Sequence, residues 1–121
     1  MTASLPDTFT CRAPHITFVV RHSDSSVEIA LRGEFDLSST DASIEVVEYV
    51  TERLAETPRA LVVNMSGVTF FDAAGIKFLV RLEATAKLVS TTFDVRNPNR
   101  DVRYLLEVVG LSQLLEEPRP G

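Results

Sequence analysis

The chain lacks several features that would place it in a membrane or an oxidising compartment. Its one cysteine, Cys11, cannot form an internal disulfide. No apolar run approaches the roughly 20 residues of a membrane-spanning helix, and the N-terminus lacks the basic region and apolar run of a signal peptide. These absences predict a cytoplasmic protein. Cys11 is interpreted as a tail cysteine without function, and an intermolecular redox disulfide is the alternative.

Positive charge is also scarce. Twelve Lys and Arg residues face seventeen Asp and Glu residues, for a net charge of −5. The basic residues are dispersed along the sequence, whereas nucleic-acid binding requires a concentrated basic face. We therefore expect neither nucleic acid nor membrane as a partner, and a basic protein surface suits this chain better.

Signatures of catalysis are missing as well. There is no Gly-rich phosphate loop and no nucleophile elbow. His15 and His22 lie seven positions apart, so on a continuous strand they would face opposite sides and could not share a metal. Asp36 and Asp72 are a candidate carboxylate pair at the ends of two predicted strands, but they have no His, Lys or metal ligand nearby in sequence. We predict a protein that is not an enzyme and has no cofactor.

The size and composition predict one domain. The chain has 121 residues, of which 45% are apolar and 24% charged, as in ordinary soluble globular proteins. Residues 1–13 contain Pro6 and lack a periodic apolar pattern, so they are predicted to form a flexible N-terminal tail. Residues 117–121 have the same character. The domain is predicted to span residues 14–116.

Alternating and apolar segments predict the strands. Residues 16–20 and 27–32, separated by turn-forming residues at 23–26, predict a β-hairpin at one end of the sheet. Residues 61–63 form a short apolar run that is typical of a central strand covered on both faces. Residues 91–95 are the last strand candidate. The result is an α/β fold with a mixed four- to five-stranded β-sheet and about four α-helices packed on it.

The first helix is predicted to extend from the hydroxyl residues at 38–40 to about residue 56, because apolar residues recur at helical spacing. Its predicted inward side chains are Ile44, Val47, Val50 and Leu54. A helix predicted after residues 97–99 should end at Gly110 in a left-handed conformation, followed by one short helical turn.

The second helix is predicted to begin near Asp72, whose carboxylate can cap its first N–H groups. Its apolar arc is broader than covering a sheet requires. A neighbouring helix in the same domain explains this width, and the alternative is that Ile76 or Leu79 belongs to a partner-binding patch.

Three motifs occur in order along the chain. Residues 31–36 read Leu-Arg-Gly-Glu-Phe-Asp, residues 68–76 read Val-Thr-Phe-Phe-Asp-Ala-Ala-Gly-Ile, and Asn97-Pro98 precedes a helix that closes on Gly110-Leu111. Together they resemble the STAS domain of bacterial anti-sigma factor antagonists over residues 14–116. In that family a strand ends in Gly-Glu-Leu-Asp, and a later loop has the form Phe-hydrophobe-Asp-Ser-Ser/Thr-Gly.

The resemblance implies a function. In the family, the Ser directly after the loop Asp is phosphorylated by a partner anti-sigma factor that is also a serine kinase, and the unphosphorylated form binds that partner and releases the sigma factor. Motif alignment puts Ala73 at the phosphoacceptor position, and Ala74 also lacks a hydroxyl. The resemblance therefore implies an anti-sigma factor antagonist that is not controlled by Ser phosphorylation at the usual site. Ser66 and Thr69 are alternative phosphoacceptors.

The resemblance also implies a partner-binding set: Asp36, Ser38, Thr40, Asp72, Ala73, Ala74, Gly75 and Ile76. Alternatives stay open. The chain could be a non-catalytic STAS scaffold that lost anti-sigma binding, or a ligand-sensing module in a signalling complex. Association into a homodimer is also open.

Overall fold

The structure, a computed structural model, describes residues 7–115 as one mixed five-stranded sheet with helices. The strand order follows the sequence, β1-β2-β3-β4-β5. Strands β1, β2 and β3 are antiparallel, and β3, β4 and β5 are parallel. The strands are β1 (Asp7–Arg12), β2 (Ile16–His22), β3 (Ser26–Phe35), β4 (Ala60–Phe71) and β5 (Phe93–Arg96). The predicted mixed sheet and the β2–β3 hairpin are confirmed.

Three α-helices connect or follow the parallel strands: α1 (Thr40–Glu56), α2 (Ala73–Leu88) and α3 (Arg100–Val108). Two 3₁₀ turns, Leu37–Ser39 and Ser112–Leu114, complete the described elements. The expected number of about four α-helices is slightly too high, because the segment after α3 forms only a 3₁₀ turn. Gly110 has φ +80°, which confirms its predicted left-handed position.

One face of the sheet holds the core. Buried side chains of all three helices join a single apolar cluster with alternate residues of every strand. Phe18, Phe35 and Phe78 are its aromatic centre, with ring centroids 5.3–5.6 Å apart. Val62 is buried outside this cluster, on the opposite sheet face. Within residues 7–115, every helix falls short of the length and apolar character that spanning a membrane requires.

The predicted N-terminal tail needs correction, because Asp7–Arg12 forms the edge strand β1. Its alternate residues point inward. Phe9 stacks on Tyr49 with ring centroids 4.2 Å apart, and Cys11 is buried, with 8% of its surface exposed. Two inward residues were too few to show periodicity in the sequence. Residues 1–6 and 116–121, including the predicted C-terminal tail, lie outside the described residues.

Other local predictions also change. Ile44 is 38% exposed, because the inward face of α1 is formed by Ala42, Val46, Val50 and Leu54. The predicted strand at 61–63 is the buried start of the much longer β4.

The broad apolar arc of α2 is explained by its packing. Leu79 is fully buried, so it cannot belong to a surface patch. The neighbouring-helix explanation is confirmed, since α2 packs beside α1 and Thr51 and Thr85 make a hydroxyl contact of 3.2 Å between them.

Candidate functional site

Strands β3 and β4 end side by side, each at a Phe that is followed by an Asp. Phe35 and Phe71 are paired in the parallel register, and their rings meet edge to face with centroids 5.5 Å apart. Asp36 and Asp72 follow directly, one after each strand. Because the carboxyl ends of parallel strands meet at one edge of the sheet, both carboxylates lie at that edge, where ligands of open α/β sheets commonly bind.

Asp36 is held in one orientation by the turn that it caps. Its Oδ1 accepts hydrogen bonds from the backbone N–H of Ser38 at 2.9 Å and from the hydroxyl of Ser38 at 2.5 Å. The backbone N–H of Asp36 donates to Oγ of Ser39 at 3.1 Å, and Ser39 is fully buried. The carboxylate is therefore positioned without the help of a partner.

His15 adds a residue that the sequence motifs did not place at the site. Its Nδ1 lies 2.8 Å from Oδ2 of Asp36, although the two residues are 21 positions apart. The His15 side chain is 54% exposed and that of Asp36 is 25% exposed. This pair puts a histidine beside the carboxylates in space, even though none lies near them in sequence.

Gly33 makes this approach sterically feasible. Its φ is +118°, and the neighbouring N–H of Glu34 donates to the carbonyl oxygen of His15 at 2.8 Å. A Cβ on Gly33 would overlap that carbonyl oxygen. The register of β3 against β4 also shifts between Gly33 and Glu34. Gly33, three positions before Asp36, thus allows β3 to lie against His15.

The His15–Asp36 contact shifts both ionisation equilibria. The hydrogen bond to Asp36 raises the pKa of His15, with further support from the charges of Asp36 and Glu34 against a cost of desolvation. The hydrogen bond from the Ser38 hydroxyl lowers the pKa of Asp36, and the bond from His15 adds to this effect. The imidazolium and the carboxylate therefore stabilise each other's charged forms.

The loop after β4 begins α2 in a similar way. Oδ1 of Asp72 accepts from the backbone N–H of Ala74 at 2.9 Å, and its carbonyl oxygen accepts from Ile76 at 3.1 Å. Ala73 is the first helical residue and is exposed. The helix thus begins with a carboxylate cap and an exposed methyl group.

Gly75 and Ile76, the third and fourth residues of α2, face inward. Gly75 is buried, and a Cβ there would overlap the ring of Phe71. Ile76 is half-buried and packs against the core. These two members of the predicted partner-binding set therefore contribute packing beneath the loop and little surface.

The remaining predicted residues line two adjoining depressions. We call the first of them the open depression. Leu37 is 80% exposed and Phe70 is 48% exposed, so apolar side chains border the aspartates there. That depression is lined by His15, Glu34, Asp36, Leu37, Ser38, Phe70 and Asp72. The second lies between the starts of α1 and α2 and is lined by Leu37, Thr40, Ser43, Asp72, Ala73, Ala74, Lys77 and Arg81.

Leu37 and Phe70 were missed at the sequence level, although a signal was present for Phe70. Consecutive residues of a strand point to opposite faces, so Phe70 and Phe71 cannot both point into the core. The exposed Phe borders Asp72 in the open depression. For the isolated apolar Leu37, the sequence holds no comparable signal.

The side chains at this surface determine what it can contact. Among the described residues, no group of three His, Cys, Asp or Glu side chains is arranged to hold a metal ion. His22 contacts the Tyr49 hydroxyl at 3.1 Å, away from the His15–Asp36 pair. Ser66 and Thr69 are exposed on β4, outside the two depressions. The site offers carboxylate acceptors, hydroxyl groups, one imidazole and two apolar contacts, and Lys77 and Arg81 add positive charge to the second depression.

Comparison with solved structures shows the same fold in anti-sigma factor antagonists. The unphosphorylated form of SpoIIAA matches with a TM-score of 0.71 and 18% identity, over 84% of this chain and 88% of that chain. The phosphorylated form of the Bacillus protein SpoIIAA matches with a TM-score of 0.67 and 17% identity, over 84% and 91%. An anti-sigma factor antagonist from Mycobacterium paratuberculosis matches with a TM-score of 0.66 and 29% identity, over 88% and 90%.

No curated protein matches the sequence significantly. The family model STAS_2, described as "Mlab, STAS domain", matches residues 18–116. That match covers most of the chain, including both strand ends that carry the aspartates. The chain therefore belongs to the STAS_2 family of STAS domains.

Proposed function

We propose that this protein is an anti-sigma factor antagonist that binds an anti-sigma factor and thereby frees a sigma factor for transcription. The observation that carries the proposal is the meeting of Asp36, Asp72 and Ala73 at one edge of a STAS fold. The similarity to antagonists of known structure supports this role. It acts by stoichiometric binding and not by catalysis.

The proposed partner surface follows from the chemistry of the two depressions. Asp36 and Asp72 suit hydrogen-bond donors and basic side chains on the anti-sigma factor. Leu37 and Phe70 border these carboxylates and suit apolar pockets. We place Ser38, Thr40, Ala73 and Ala74 in the same interface.

Control by phosphorylation is absent at the usual site in this proposal. Ala73 and Ala74 have no hydroxyl, whereas SpoIIAA has solved phosphorylated and unphosphorylated forms. A phosphoryl group would add about −1.5 to −2 charges at pH 7, beside the charges of Asp36 and Asp72. Ala73 keeps the approximate shape of an unmodified Ser, so the protein stays in a binding-competent state. The partner need not be a kinase.

The test is capture of partners from lysate of the source cells with the tagged parent, Ala73→Glu and Ala73→Gln. We expect the parent and the Gln variant to retain an anti-sigma factor, identified by mass spectrometry, because both leave the site uncharged. Ala73→Glu should weaken binding of that purified protein at least tenfold, about 1.4 kcal/mol.

Calorimetry with the purified protein and the purified anti-sigma factor tests the place of Ala73 in the interface separately from the proposed function. Equal affinity of the Glu variant and the parent would show that Ala73 lies outside the interface. Failure of the parent to bind any anti-sigma factor encoded by the same genome would overturn the proposed function.

A further inference from the structure

The face of the sheet opposite the core carries exposed arginines and, on β4, the buried side chain of Val62. Arg12, Arg21 and Arg32 are exposed, whereas the buried residues of all three helices join the cluster on the other face. In residues 7–115, no ion pair reaches these three arginines. We call this surface the open sheet face.

The strand register shows how these charges are arranged. Arg12 is paired with Thr17, and Thr17 with Arg32, so two arginines flank the middle strand β2 in one row. Two strand spacings separate them, about 9.6 Å. Arg21 stands opposite Glu28, and Asp94 lies on the same face, paired with Val62. Arg96 also lies on this face, on the far strand β5 opposite Asn64. The Arg12–Arg32 row is therefore the place where two arginines stand together without a carboxylate between them.

The outer face of α1 carries the opposite charge. Asp41, Glu45 and Glu48 are exposed and recur at spacings of four and three residues, so they form one stripe along the helix. With a rise of 1.5 Å per residue, Asp41 and Glu48 lie about 10.5 Å apart along the axis. Arg53 is the only basic residue of α1, and its ion pairs are with Glu52 and Glu56. We call Asp41, Glu45 and Glu48 the acidic stripe.

We propose that the acidic stripe of one copy of this protein docks on the open sheet face of a second copy. The two surfaces have opposite charge, and the length of the stripe matches the separation of Arg12 and Arg32. Across such an interface, complementary charge selects the partner and the register. Because an acidic chain repels its own copies overall, a specific local match is needed for association.

The geometry of the monomer sets the form of the assembly. Asp41 and Glu48 are exposed on the helix layer, and Glu45 beside them accepts a hydrogen bond from the Cys11 thiol at the β1 edge at 3.5 Å. The open sheet face is on the other side of the sheet. A contact between two different surfaces is heterologous, so it extends into a ring or an open chain and does not close as a two-fold dimer. The contact does not depend on the proposed anti-sigma function, because the depressions do not include the stripe or these arginines.

Sedimentation velocity of the parent tests association directly. At about 20 mM salt, where the Debye length is more than 20 Å, we expect the weight-average mass to rise with concentration beyond twice the monomer mass; at about 0.5 M salt it should return to the monomer. A parent that stays monomeric at low salt up to millimolar concentration would overturn the proposal.

Two variants with neutralised charges test which surfaces form the contact. Arg12→Gln/Arg32→Gln removes the basic row, and Glu45→Gln/Glu48→Gln removes most of the stripe. Each should abolish association alone, whereas Arg100→Gln/Arg103→Gln on α3 should leave it unchanged. Association of either surface variant at the parental level would contradict the assignment.

Mixing the two variants gives the decisive result. The first keeps an intact acidic stripe and the second keeps an intact basic row, so only one productive contact remains. We expect a 1:1 heterodimer that grows no further. Absence of this heterodimer, or formation of larger species, would show that the two surfaces do not bind each other.

Discussion

Nδ1 of His15 lies 2.8 Å from Oδ2 of Asp36, which joins the segment before β2 to the end of β3 at the candidate binding site. Asp36 is thereby engaged on both oxygens, by Ser38 on one side and His15 on the other. A partner that binds Asp36 therefore meets a preorganised carboxylate whose local charge depends on the protonation of His15.

The ionisation of His15 should report this contact. Its folded-state pKa is raised from the ordinary value of 6.5, so its stabilising contribution is present below pH 6.5 and lost as pH rises through the raised value. The pKa of Asp36 is lowered from 3.8, so its contribution is present above pH 3.8 and lost as pH falls through the lowered value.

An NMR titration of the His15 imidazole should therefore give a midpoint above 6.5, and Asp36→Asn should move it back toward 6.5. A midpoint of His15 that Asp36→Asn leaves unchanged would contradict the contact.

Asp36→Arg should weaken binding of the proposed anti-sigma factor by more than 1 kcal/mol, because it reverses a charge at the predicted interface. Asp36→Asn keeps an oxygen for the Ser38 cap and should weaken binding less. Calorimetric titration measures both, and circular dichroism checks that the fold is intact. If the Arg variant binds as tightly as the parent, Asp36 lies outside the interface.

Gly33→Ala should destabilise the fold by about 2 kcal/mol or more, since the added Cβ overlaps the carbonyl oxygen of His15 and φ is +118°. Gly110→Ala is the matched control. It also has positive φ, +80°, but open space around the added carbon, so about 1 kcal/mol is expected. Urea unfolding compares the two, and equal losses would show that the approach to His15 imposes no extra steric cost.

Local signals predicted much of the fold. Asp72 as a helix cap, Gly110 as a helix end and the β2–β3 hairpin each depend on residues close in sequence. β1 was missed because its pairing with β2 is set by contacts that its own six residues barely indicate. Stacking of Phe9 on Tyr49 is one such contact.

The site was predicted in outline for the same reason. Asp36 and Asp72 follow predicted strands, so their meeting at one sheet edge could be inferred from order alone. His15 could not, because its approach depends on the positive φ of Gly33 and the close packing of β3 against the His15 carbonyl, which no local pattern reveals. The inward position of Gly75 likewise depends on where the ring of Phe71 points.

Gly75 gives a test of that packing, separate from any partner. Gly75→Ala should destabilise the protein by about 1–3 kcal/mol, because the new methyl group overlaps the ring of Phe71. Helix propensity alone would favour Ala over Gly by about 1 kcal/mol at an unhindered helical position, so a net loss isolates the steric conflict.

A double-mutant cycle with Phe71→Leu completes the argument. Removing the ring should relieve the overlap, so Gly75→Ala should cost at least 1 kcal/mol less in the Phe71→Leu background than in the parent. Thermal or urea unfolding of the four proteins measures this coupling. Additive effects of the two substitutions would mean that Gly75 does not make room for the Phe71 ring.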